Sequence, residues 1–124
     1  MVVGIIPARI GSKRFPKKIL ADINGKPMIA HVAERAMQSK LLEKIVIAID
    51  AEETKQALSD FDFDLIMTSK DHSSGTDRVA QVAKEIDSAE IIINIQGDEP
   101  LLDPNVIDGL IQLFDDPSVS MGTV

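Results

Sequence analysis

Four short runs of apolar, largely β-branched residues recur along the chain, at Val2 to Ile6, Lys44 to Ile49, Asp64 to Thr68 and Glu90 to Ile95, with a fifth candidate at Ser118 to Val124. They are continuous rather than alternating, as expected of strands buried on both faces of a parallel sheet. Helical stripes lie between them. Ile29, Val32, Ala33, Ala36 and Met37 form one, Val79, Val82, Ala83 and Ile86 a second, and Ile107, Leu110, Ile111 and Phe114 a third. Ala51 to Leu58 predicts a shorter helix. Asp103-Pro104 signals a helix start, a capping carboxylate followed by proline at the first helical position. Ser74 or Thr76 opens the second stripe, and Pro27 the first. Asn24-Gly25 reads as a tight turn in the long first connection. Strand and helix alternate, so the fold class is α/β: an open, mainly parallel, Rossmann-like sheet with right-handed crossovers that lay helices on both faces. Met28, Met37, Met67 and Met121 read as core fillers, and His31, beside the first stripe, as a packing histidine.

In such sheets ligands bind beyond the carboxyl ends of the strands. The segments to inspect are therefore Pro7 to Lys18, Asp50, Ser69 to Gly75 and Gln96 to Pro100. A length of 124 residues suits one domain, 1–124, and 44% hydrophobic with 27% charged residues is a globular composition. The net charge of −7 disfavours broad adhesion to nucleic acid or to an anionic membrane, and aromatic platforms for single strands are scarce, with four Phe and no Trp or Tyr. No apolar run approaches the ~20 residues that span a bilayer. The absence of Cys excludes disulfides and thiolate chemistry and fits a reducing, cytoplasmic setting. His31 and His72 are too far apart in sequence to suggest a metal cluster.

Against this acidic background the first loop stands out. Pro7 to Lys18 holds five of the 13 basic residues, Arg9, Lys13, Arg14, Lys17 and Lys18, and no acid. Gly11 and Ser12 allow backbone N–H groups to approach phosphate oxygens, while Arg offers a bidentate fork and Lys a point charge. A triphosphate suits that inventory; a solvated basic turn is the plain alternative. The loop lacks both the GxxxxGK[ST] and the GxGxxG patterns. Gln96-Gly97-Asp98-Glu99-Pro100 sets acids at another strand end. Mg²⁺ prefers one or two protein carboxylates with water and phosphate completing its octahedron, which makes Asp98 the candidate metal ligand; Glu99 points to the other side and supports the turn. Asp71 to Arg78 is rich in short hydrogen-bonding side chains, suited to reading a nucleobase or ribose, or simply to capping a helix.

The loop IIPARIGSKRFPKK, followed by INGKPMIAHV, SSGTDR and NIQGDEP, resembles the signature of the sugar-activating cytidylyltransferases, and within them the branch acting on 3-deoxy-manno-octulosonate (KDO). The likeness runs over nearly the whole chain. It implies transfer of CMP from CTP to KDO with release of pyrophosphate, activating the sugar for lipopolysaccharide synthesis. It also implies contacts to CTP and its phosphates from Arg9, Ser12, Arg14 and Lys18. Ala8, Ser74, Gly75, Thr76 and Arg78 would form the base neighbourhood, Gln96 a sugar or nucleotide contact, and Asp98 the Mg²⁺ site. Arg14, Lys18 and Asp98 carry the catalytic roles in this reading. The family's sugar-binding residues, second metal-binding Asp and much of its homodimer interface belong to a C-terminal half with no counterpart here, so the chain is expected to be part of a longer enzyme. CMP-sialic acid or modified-KDO synthesis, or CTP binding without turnover by this stretch alone, are the alternatives.

Overall fold

The computed structural model describes residues 2–9, 20–68, 75–86, 91–95, 103–113 and 121–123. Five parallel strands form one sheet: β1 (Val2–Ala8), β4 (Lys44–Ile49), β5 (Asp64–Met67), β6 (Ile91–Asn94) and β7 (Met121–Thr123), in the order β5-β4-β1-β6-β7. The predicted runs are all strands, with ends displaced by a few residues. β1 pairs with β4 from Val3↔Lys44 to Ala8↔Ile49 and with β6 from Val2↔Ile91 to Ile5↔Asn94.

β1 outruns its expected end at Ile6 and passes through Pro7. The backbone N–H of Ile95 donates to the Ile5 carbonyl, so Ile5 turns its backbone polar groups towards β6. Pro7, two residues on, faces the same way, beyond the last described β1–β6 pair, Ile5↔Asn94, so its missing N–H interrupts none of the described pairing.

Alternate strand residues separate two apolar layers, as the period of two requires. Ile6, Ala8, Ile47, Ile49, Ile93 and Ile95 pack against α1 (Met28–Ala36), α4 (Pro104–Gln112) and Leu58, which ends α2 (Glu52–Ala57). Val3, Ile5, Val46, Ala48 and Ile92 meet Val79 and Val82 of α3 (Gly75–Glu85) on the opposite face. Helices thus cover both faces. The connection through α4 departs from the expectation of uniform handedness. It steps from β6 to β7, the direction opposite to the step from β1 to β4, yet α4 shares the α1 face. The two crossovers are consequently of opposite hand.

The α1 stripe is Ile29, Ala30, Val32, Ala33 and Ala36, all buried. Met37 does not belong to it, being 57% exposed at the helix end, and Met67 on the edge strand β5 is 46% exposed. Neither is a core filler: the first falls past the buried stripe, and the second lies on a strand with one unpaired side. Met28 is half-buried, and the side chains of Met121 and Phe114 lie outside the description. Asp103 caps α4 by accepting from the Asn105 N–H at 2.9 Å, with Pro104 behind it, as its sequence signals.

Asn24 and Gly25, at φ of 52° and 87°, turn a two-stranded antiparallel hairpin of β2 (Asp22–Ile23) and β3 (Lys26–Pro27). Positive φ at both central residues is what a type I′ turn demands and what Asn-Gly supplies cheaply. The hairpin is fastened to α1 by the half-buried His31, whose Nε2 bonds the Ile23 carbonyl, and by Lys26 and Glu34 at 2.9 Å. That surface ion pair contributes about 0–1 kcal/mol, so the histidine and the apolar contact of Leu20 with the core matter as much.

Gly4 lies mid-strand, where a Cβ would stand 2.9 Å from Ile95 Cδ1 and 3.2 and 3.3 Å from the Leu42 methyls. Because β1 is held from both sides, the backbone has little room to yield. Gly4→Val is expected to lower stability by about 1–3 kcal/mol, the usual cost of overpacking, and Gly4→Ala by less; urea unfolding of both variants checks the order.

On the α1–α4 face, Asp108 receives the Ser39 hydroxyl and the backbone N–H groups of Lys40 and Leu41 (3.2 and 3.1 Å), joining α4 to the α1–β4 connection. The Ser39 bond holds its carboxyl below the usual carboxylate range; partial desolvation opposes this, and the two backbone bonds and the nearby Lys40 charge reinforce it. A carboxyl with a depressed folded-state pKa stabilises the fold above its unfolded value of 3.8 and loses that contribution as pH falls through the lower folded value. Asp108→Asn should therefore melt below the parent at pH 7, and the gap should close on acidification below pH ~3.8. A gap independent of pH would assign the effect to packing.

Candidate nucleotide site

The strand order reverses direction at β1: the chain steps outward to β4 and β5, then returns across the sheet to β6. Crevices at such switch points, beyond the carboxyl ends of the strands, are where open α/β sheets bind ligands. Here the flanking strands are β1 and β6. In sequence the first leads into the basic segment and the second into Gln96-Gly97-Asp98-Glu99-Pro100. The adjacency of the two strands is a product of topology, since they are far apart in sequence.

Arg9, the first residue after β1, is exposed at this edge. Ala8 is fully buried with its methyl in the α1-side core, which leaves its backbone as the group it can offer a ligand. Gly75 and Thr76 open α3. Ser12, Arg14, Lys18, Ser74, Gln96 and Asp98 lie outside the described residues, as do His72 and Glu99. Among the described residues no cluster of three or more His, Asp or Glu could hold a metal ion.

Arg78, which the resemblance assigns to the base neighbourhood, is a buried side chain. It is 1% exposed, inside the α3-side layer, with Nη1 donating to Thr68 Oγ1 and Nη2 lying 3.5 Å from Asp50 Oδ2. Asp50 and Thr68, themselves 5% and 6% exposed, are the residues that follow β4 and β5. Thr68 is fixed in turn by two bonds to the Ile49 carbonyl, from its hydroxyl at 2.8 Å and its N–H at 2.7 Å. A desolvated cation and anion are tolerable only when paired and hydrogen-bonded. In the sequence Asp50 is marked by its strand-end position without an evident partner, and Thr68 only as the last residue of a β-branched run. The available signal was an acid and a hydroxyl at consecutive strand ends, opposite an arginine one turn into a helix.

β6 closes with Asn94, 2% exposed, whose Oδ1 has no hydrogen-bond partner among the described residues. Its parity with Ile92 puts it on the α3 side of the sheet.

A parallel sheet with its switch point between a strand that leads into a basic segment and one that leads into an acidic segment defines an open α/β domain of the ligand-binding kind. The sequence profile of the cytidylyltransferases matches residues 3–123, and the chain belongs to that family. It is 51% identical over 124 residues to the 3-deoxy-manno-octulosonate cytidylyltransferase of Geobacter sulfurreducens, and 51% identical to that of Pelobacter propionicus, matching 99% of this chain in each case. The match takes in 49% and 48% of those proteins, so the chain spans about half the length of the curated relatives it matches. Among solved structures, CMP:2-keto-3-deoxy-manno-octonic acid synthetase complexed with CTP superposes with a TM-score of 0.90 at 46% identity, over 95% of this chain and 49% of that one. A cytidylyltransferase from Leptospira borgpetersenii gives 0.77 at 27% identity, over 91% and 48%.

Proposed function

We propose that this chain is the nucleotide-binding portion of a cytidylyltransferase that transfers CMP from CTP to KDO. The identity of about half the positions to enzymes named for that reaction carries the reading. The superposed CTP complex and the meeting of β1 and β6 at the switch point support it. In the reaction a KDO hydroxyl oxygen forms a bond to the α-phosphorus of CTP as the bond to the bridging oxygen of the departing pyrophosphate breaks. Such chemistry asks of the protein mainly alignment and charge stabilisation. Arg9, Ser12, Arg14 and Lys18 hold the triphosphate in this reading, and Ser74, Gly75 and Thr76 sit by the cytosine, with the backbone of Ala8. Gln96 contacts nucleotide or sugar.

Asp98 would hold Mg²⁺, which when bound offsets charge on the phosphate oxygens. The family resemblance supports a homodimeric, cytoplasmic enzyme acting in lipopolysaccharide synthesis. The second reading, for these 124 residues taken by themselves, is CTP binding without turnover.

Pyrophosphate release tests both readings. Extended to the relatives' length, the protein should turn over CTP with KDO and Mg²⁺ faster than with sialic acid, and the 124-residue chain should bind CTP calorimetrically without releasing pyrophosphate. In the longer protein Arg14→Ala or Lys18→Ala should lower turnover by on the order of 10²-fold, and Asp98→Asn should raise the Mg²⁺ concentration needed. A rate near that of the parent in the first pair would remove those residues from the catalytic reading. A preference for sialic acid would reassign the sugar.

A further inference from the structure

We infer that Arg78 is a positioning residue: held by Asp50 and Thr68, its guanidinium sets where the N-terminal turn of α3, and with it Gly75 and Thr76, stands at the carboxyl edge of the sheet. The inference deepens the proposal that Ser74, Gly75 and Thr76 sit by the base and rests on it.

The geometry argues for this role over direct contact. A guanidinium 1% exposed, with one nitrogen on Thr68 and another facing Asp50, has its fork turned towards the strand ends. Those two partners come from successive strands, so one side chain ties α3 to β4 and β5 together. Thr68 is a firm anchor because it is itself bonded twice to Ile49.

Apolar packing would not do the same work. Val79 and Val82 seat α3 against the sheet, but burial of apolar surface is non-directional and leaves sliding along the helix axis weakly resisted. Charge-assisted bonds to fixed oxygens are directional. Arg78 lies three residues from Gly75, less than one helical turn, so an axial shift at Arg78 passes undiminished to the residues that open the helix. Displacements of about 1 Å in positioning groups are enough to cost 10²-fold in function.

Two substitutions probe the clamp without emptying it. Thr68→Val keeps shape and removes the hydroxyl, while Arg78→Lys keeps charge and loses the fork. On the 124-residue chain, amide exchange by NMR reads the first turn of α3 at Val79 and Ala80, with Ile107 to Ile111 of α4 as the internal reference. Calorimetry with CTP and with inorganic tripolyphosphate separates base from phosphate binding.

The clamp predicts that Thr68→Val speeds exchange at Val79 and Ala80 by about tenfold with α4 unchanged, a local rather than global opening. It also predicts CTP affinity lowered about tenfold with tripolyphosphate affinity kept. Arg78→Lys should follow in the same direction. Exchange and CTP affinity equal to the parent in Thr68→Val would overturn the inference. So would equal losses of CTP and tripolyphosphate with unchanged exchange, which would make Arg78 a phosphate contact. A parent chain that takes tripolyphosphate but not CTP would refute the base assignment, and the exchange result by itself would then uphold or overturn the clamp.

Discussion

Everything in this fold depends on β1 being the central strand. It is paired on both sides and covered on both faces, so its register with β4 and β6 sets which residues of three strands face which layer. A slip of one residue would turn Ile6 and Ala8 out of one layer and Val3 and Ile5 out of the other. The same centrality creates the switch point. Because the chain leaves β1 in one direction and returns to its other flank, the carboxyl ends of β1 and β6 become neighbours.

The buried Asp50–Arg78 pair shows a different kind of constraint. Two charges in a layer built mainly of valine, isoleucine and alanine stabilise little on balance, since desolvation offsets most of the attraction. An apolar replacement of similar volume could pack as well. What such a replacement lacks is direction: the pair with Thr68 tolerates one placement of α3, whereas an apolar contact tolerates many.

The strands and helices were readable from the sequence because β-branched runs and helical stripes are strong, local signals, and Asp103-Pro104 marked its helix end by chemistry alone. The hairpin was read only as a turn at Asn24-Gly25, its strands being too short to show a period. Met37 and Met67 were misjudged for a common reason. Hydrophobicity says that a side chain can be buried, while exposure depends on where a helix ends and which strand is the edge, both properties of the assembled sheet. The candidate site divides the same way. Concentrated charge and strand-end position marked the basic loop and Asp98, and motif likeness extended them to named contacts. The partnership of Arg78 with Asp50 and Thr68 was out of reach because it joins three segments that only the parallel pairing brings together.

The position of β1 also sets a timetable for synthesis. In chain order β1 precedes both its partners, one at Lys44–Ile49 and the other only at Ile91–Asn94, so one edge of an apolar strand stands open until the later segment is made. Long-range parallel pairing is slow to close and exposes strand edges meanwhile. Until β6 arrives, Val2 to Ile5 offer a ready template to any other extended apolar segment.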